Sequence, residues 1–90
     1  MYTESMADYG QEFAQELAAE LRAQKARRKV SDEQIAEAIG VHRVSVSRYL
    51  TGERPIPIVV FADLCNFLQA SPTKIIDEAE QRTRRHTQQH

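Results

Sequence analysis

Ser31-Asp-Glu-Gln-Ile-Ala-Glu-Ala-Ile-Gly40-Val-His-Arg-Val-Ser-Val-Ser-Arg-Tyr-Leu50 holds two short helical patterns in succession, joined at Gly40. Ser31 followed three residues later by Gln34 reads as a capping box, so a helix is predicted over about Asp32 to Ile39. Its buried face is Ile35, Ala36 and Ile39. Gly40 ends it, because glycine takes the left-handed conformation at little steric cost. A second helix over about His42 to Leu50 buries Val46, Tyr49 and Leu50 at i, i+3, i+4 spacing, and Thr51-Gly52 stops it. Its β-branched residues make it dependent on tertiary support.

Outward from this stretch, Phe13, Leu17 and Leu21 fall four apart with Ala14 and Ala18 beside them, which predicts a first helix between Gly10 and Arg28. Acids at Glu4, Asp8, Glu12, Glu16 and Glu20 precede a basic cluster at Lys25, Arg27, Arg28 and Lys29. This polarity compensates the helix macrodipole at both ends. On the other side, Pro55 and Pro57 predict an extended connection, with Pro57 in the first turn of a fourth helix that buries Phe61, Leu64, Cys65 and Leu68. Ser71-Pro72 reads as a cap with proline at the first helical position of a fifth helix through Ile75, Ile76 and Ala79. The expected organisation is an acidic extension of helix one over 1–20, a domain over 21–81 with the two-helix motif at about 32–50, and a fraying polar tail over 82–90. No internal repeat and no strand pattern is evident.

Ninety residues allow one domain with a modest core, too small for a large catalytic cleft. Apolar residues make up 41% and charged residues 28%, the proportions of a folded globular chain. The apolar run around Ile56 to Phe61 is far too short to span a bilayer, and the N-terminus has acids where a secretory signal has bases, so a cytoplasmic location with no membrane partner is expected. The single cysteine, Cys65, excludes an intrachain disulfide and reads as a small core residue. His86 and His90 have the spacing of a metal pair, but a third ligand is missing, so neither metal nor cofactor is expected. No paired acid and base or phosphate-cradling glycine loop suggests an enzyme.

Net charge is −1, yet the charges are segregated. Residues 1–20 carry five acids and no base, residues 21–54 eight bases and four acids, and residues 55–90 four of each. The two-helix motif therefore lies in the basic part, and its local field matters more to a nearby phosphate than the total does.

The motif resembles the Xre family of helix-turn-helix proteins, the group of the lambdoid phage repressors and Cro proteins. The resemblance covers roughly residues 21–80. Ala36, Gly40, Val46 and Tyr49 stand where that pattern wants a small residue, a turn glycine and two apolar anchors, with Ile35, Ile39 and Val41 in the apolar slots between. Each has a packing reason of its own: Ala36 lies where two helices cross closely, and Gly40 where the chain must reverse. The implied fold is all-α, a five-helix lambda-repressor-like DNA-binding domain with an extended first helix.

If Val46, Tyr49 and Leu50 face inward, then Val44, Ser47, Arg48 and Thr51 face outward at 100° per residue, with Arg43 flanking at the helix start. The resemblance implies that this face enters the major groove. Arg43 and Arg48 can each donate a bidentate pair to guanine O6 and N7, a contact worth about 1–3 kcal/mol of discrimination; phosphate is the alternative partner. Val44 suits a thymine methyl group, or is an incidental surface valine. Ser47 and Ser45 are weaker discriminators. His42 is expected to cap the helix or touch phosphate, as are Ser45, Thr51 and Arg54, with Arg28 or Lys29 adding backbone contacts. Asp32 and Glu33 depart from the family pattern, which places glutamine or another neutral residue there. Acids at this point stabilise the helix start but repel phosphate, implying modest affinity per subunit.

The implied function is a sequence-specific transcriptional regulator, a repressor of phage or bacterial type that occupies a double-stranded DNA operator. A single recognition helix reads too few base pairs for a genome, so a homodimer on two half-sites about 34 Å apart is expected. Ile56, Ile58 and Ile76, read as surplus to the core, are the candidate dimer surface. The alternative is an antitoxin-type regulator that also binds a partner protein through the acidic N-terminal helix, and a helix-turn-helix domain used only for protein binding is the third reading.

Overall fold

A computed structural model describes the backbone of residues 2–87 and the side chains of residues 8–86. Five α-helices follow one another: α1 (Tyr2–Arg28), α2 (Asp32–Ile39), α3 (Arg43–Thr51), α4 (Ile58–Leu68) and α5 (Pro72–Thr87). There is no strand among the described residues, and the all-α, five-helix expectation holds.

The short helices have the expected punctuation. Ser31 caps α2: the Gln34 amide donates to Ser31 Oγ at 3.1 Å, and the Ser31 amide donates to Gln34 Oε1 at 2.8 Å. Gly40 follows at φ 75°, and its amide closes on the Ala36 carbonyl. Gly52 ends α3 in the same way at φ 82°. Pro57 is the residue before α4, one position outside the first turn in which it was expected. Ser71 Oγ accepts from the Lys74 amide at 3.3 Å and so caps α5.

One core joins all five helices. Leu21, Ile35, Val46, Leu64 and Leu68 are fully buried, with Ala36, Leu50, Phe61, Cys65 and Ile75 around them. At roughly 25 cal/mol per Å², each large side chain in this set contributes about 1.5–3 kcal/mol on leaving water, enough to hold helices of eight to eleven residues that are marginal alone. Burial pushes the Cys65 thiol pKa up and leaves it a small apolar filler.

The apolar stripe placed helix one between Gly10 and Arg28 with an acidic extension before it; α1 takes in that extension from Tyr2 and runs 27 residues, about 40 Å, which sets the long dimension of the 43 × 21 × 18 Å molecule. The expectation about the other end changes. The fraying tail from residue 82 is instead helical to Thr87. Thr83 is completely buried, and its hydroxyl donates to the Ala79 carbonyl at 2.7 Å. The physical reason is α1. Arg28 meets the carbonyls just before α5, while Arg82 and His86 meet Glu16 and Glu20, so the two helices run antiparallel and each covers the other. Polar composition at 82–87 reads as a tail only until the facing helix is known.

Candidate nucleic-acid interface

α3 divides its residues as the periodicity requires. Val46, Tyr49 and Leu50 are buried, Arg43, Val44 and Arg48 are exposed, and Ser45 and Ser47 are half-buried. Val44 is 50% exposed, a large apolar side chain offered to solvent on an otherwise polar face. Arg43, Val44, Ser47 and Arg48 line one open groove, whose opposite wall is Asp32 and Glu33 at the start of α2 and Lys25 from α1. The four residues predicted to contact bases are thus brought together on one surface.

The acids at the start of α2 are both partnered. Asp32 Oδ1 lies 2.9 Å from Lys25 Nζ, a half-buried pair, and Glu33 Oε2 lies 3.8 Å from Arg43 Nη1, an exposed one. Lys25 was not singled out from sequence as a groove residue, since nothing local links position 25 to position 32. The α1 helix brings it there.

The residues expected at phosphate or as caps divide three ways. His42 occupies the N-cap of α3 with extended backbone at φ −70°, ψ 143°, but its side chain makes no capping hydrogen bond. Thr51 does cap: its hydroxyl donates to the Arg48 carbonyl at 3.2 Å. Arg54 folds back on α3, with its guanidinium 5.9 Å from the Tyr49 ring centre and Nη1 3.5 Å from Ser45 Oγ, while its amide closes on the Arg48 carbonyl. These contacts hold the Arg54 charge along the Ser45–Tyr49 flank of α3.

Arg28 was expected at the DNA backbone; it stays exposed, while its Nε donates to the Leu68 carbonyl at 2.9 Å and Nη2 to the Gln69 carbonyl at 3.5 Å, so two of its N–H groups meet carbonyls at the end of α4. Lys29 is exposed and sits at φ 57°, the left-handed end of α1.

Sequence reading missed the residues that aim α3. Gln15 Nε2 donates to the Gly52 carbonyl at 3.1 Å, and Arg22 Nη1 donates to the Leu50 carbonyl. Both satisfy carbonyls at the C-terminus of α3 that have no intrahelical partner. Their distance along the chain, 37 and 28 residues, leaves no local signal to find them by.

The expected dimer residues also separate. Ile58 is 73% exposed and Ile76 40%, but Ile56 is partly buried and packs against the core, because the extended Pro55–Pro57 connection turns it inward. Val59, at 68% exposed, joins Ile58 on the surface in its place. The acidic stripe of α1 is not an open face throughout: Arg82 Nη2 lies 2.8 Å from Glu20 Oε2, Arg82 Nη1 3.9 Å from Glu16 Oε1, and His86 Nδ1 3.5 Å from Glu16 Oε2. Glu4 and His90 lie outside the described side chains. No group of three His, Cys, Asp or Glu side chains among the described residues is arranged to hold a metal ion, and no described helix is long and apolar enough to cross a membrane.

A capped short helix, a glycine turn and a second short helix whose outward face carries arginines define a helix-turn-helix DNA-binding protein of the regulatory class. The chain belongs to the helix-turn-helix domain family, whose model matches residues 16–75. No curated protein and no solved structure matches it.

Proposed function

We propose that the protein is a sequence-specific transcriptional regulator of Xre or Cro type, of phage or bacterial origin, that represses by occupying an operator as a homodimer in the cytoplasm. The observation that carries this reading is the partition of α3: Val46, Tyr49 and Leu50 anchor the helix in the core, and Arg43, Val44, Ser47 and Arg48 stand together on the exposed face. In this reading Arg43 and Arg48 read guanines, Val44 packs on a thymine methyl, and Ser45, Thr51 and Arg54 hold the DNA backbone beside the end of α3. The chemistry is recognition, with no enzymatic step and no cofactor.

Two copies place two α3 helices in successive major grooves about 34 Å apart. Exposed Ile58 and Val59, with Ile76, are the apolar residues available to join them. Ile58→Asp with Val59→Asp is expected to give a monomer in sedimentation that still folds, and a persistent dimer rejects this surface.

The primary test is fluorescence anisotropy with DNA flanking the protein's own gene and with shuffled duplex, across a salt series. Preference for the flanking DNA that Arg43→Ala and Arg48→Ala abolish supports the reading. Equal, weak binding to both duplexes, unchanged by the two substitutions, rejects it in favour of a protein-binding role.

A further inference from the structure

We propose that Glu33 determines specificity by shielding Arg43 from backbone phosphate, so that a guanine edge is the partner that best displaces the Glu33–Arg43 pair. The inference rests on the reading of α3 as the base-contacting helix.

Glu33 stands in the first turn of α2 and Arg43 in the first turn of α3, and their charged ends lie 3.8 Å apart across the groove. The side chains remain 76% and 64% exposed, so the pair is set in water, where such contacts are weak and open readily. The neighbouring acid, Asp32, is engaged differently: Lys25 holds it at 2.9 Å, and both side chains are about two-thirds covered or more. Of the two acids that open α2, Glu33 is therefore the one paired with the reading arginine; Glu53, which also lines the groove, makes no ion pair with it within 4 Å.

Phosphate and guanine make different demands on Arg43. A phosphate attracts the guanidinium as a charge, from any sequence and over a Debye length. A guanine edge is uncharged and takes two short, directed N–H bonds at O6 and N7. Glu33 cancels the charge of Arg43 as seen from a distance and repels a phosphate that comes close. The cost of opening the pair falls on both partners, whereas the added repulsion is larger for phosphate, a full negative charge, than for the partial charges on O6 and N7. A neutral residue at position 33 removes that asymmetry.

The test begins with selection of a preferred duplex from a randomised pool by the wild-type chain. Anisotropy on the selected duplex and on its shuffled counterpart follows for wild type, Glu33→Gln, Glu33→Ala, Arg43→Ala and the Glu33→Gln/Arg43→Ala pair, with thermal melting to show that each is folded. Glu33→Gln is expected to tighten shuffled DNA by ~3- to 10-fold at low salt and the selected duplex by less, lowering discrimination about 3-fold. Glu33→Ala is expected to do the same, and in the Arg43→Ala background the substitution at Glu33 is expected to leave the ratio unchanged. If Glu33→Gln and Glu33→Ala leave the ratio intact while Arg43→Ala lowers it, Glu33 is a generic surface charge and the proposal is overturned with base readout standing. If Arg43→Ala itself leaves the ratio intact, Arg43 is not a reader and both conclusions fall.

Discussion

Arg22, in the C-terminal third of α1, donates from its guanidinium to the carbonyl of Leu50 in the last turn of α3. The helix with the exposed arginines is thereby held by a side chain from the longest helix, at an end where its own carbonyls have no helical donor. Arg22→Ala is expected to lower unfolding free energy by about 1.5 kcal/mol, because a charge-assisted hydrogen bond is lost and an acceptor is left to water. Arg22→Lys should recover part of it. Urea unfolding with an unchanged slope checks the size, and DNA binding of the still-folded variant checks whether α3 has shifted.

Gly52 and Gly40 both adopt positive φ, but only Gly52 is also crowded. A Cβ at Gly52 meets Gln15 Oε1 at 2.6 Å, while one at Gly40 meets nothing within 4 Å. Gly40→Ala should cost roughly 1 kcal/mol for the backbone conformation alone. Gly52→Ala should cost about 2 kcal/mol, since Gln15 must also move off its hydrogen bond. In a Gln15→Ala background the Gly52→Ala cost should fall back toward that of Gly40→Ala, a coupling measurable by a double-mutant cycle.

Thr83 tests whether the C-terminal part of α5 belongs to the fold. A carboxylate at this fully buried position must give up its hydration, so Thr83→Asp should destabilise by about 3 kcal/mol or more. Arg85→Asp, in the last turn of α5 on the exposed face, should change stability far less, by about 0.5 kcal/mol. Similar, small effects of the two in thermal melting would show that α5 ends earlier.

Cys65 carries a raised thiol pKa because burial disfavours the thiolate. Below the ordinary thiol range both folded and unfolded chains are protonated, and this group adds no pH dependence. As pH rises through that range the unfolded chain loses its proton first, so its contribution to stability declines. Alkylation at mildly alkaline pH should accordingly be slow in the native chain and become fast in urea, with a rate that follows global opening. Fast alkylation without denaturant would contradict the burial.

Gln69 takes the left-handed conformation at φ 56° after α4, at a position where its amide reaches the Asn66 carbonyl. Glycine meets no Cβ penalty there, so Gln69→Gly should stabilise by roughly 0.5 kcal/mol after the greater freedom of glycine in the unfolded chain is set against it. A decrease in melting temperature would show that the Gln69 side chain supports the cap.

Local sequence carried most of the architecture. The Ser31–Gln34 box, the Gly40 turn and the Val46, Tyr49, Leu50 spacing are interactions within four residues, and the observed α2 and α3 start and stop within a residue of where these signals place them. The outward set on α3 was legible for the same reason, because residues claimed by the core leave the opposite face at fixed angles. Residues 82–87 were misread because a polar run with one buried threonine has no strong period of its own; its order comes from α1 packed alongside.

Side-chain commitments over long separations were not legible. Arg28 was expected to add a contact to the DNA backbone, and nothing local announced that its Nε also meets the Leu68 carbonyl at the end of α4, 40 residues away. Ile56 was read as surplus to the core together with Ile58 and Ile76, yet it packs against the core. Glu33 was read as a charge that stabilises the start of α2 and repels phosphate; that Arg43 stands opposite it was not legible.

Periodicity, caps and turn chemistry suffice to specify which segments of this chain are helices and which face of α3 is left over, since they depend on neighbours a few residues apart. Which cations remain available to DNA, which terminate helices and which pair with acids depends on helices that meet only after the chain has closed loops of tens of residues. Arg22, Arg28, Arg43 and Arg82 are chemically the same side chain, and packing alone gives them four different partners.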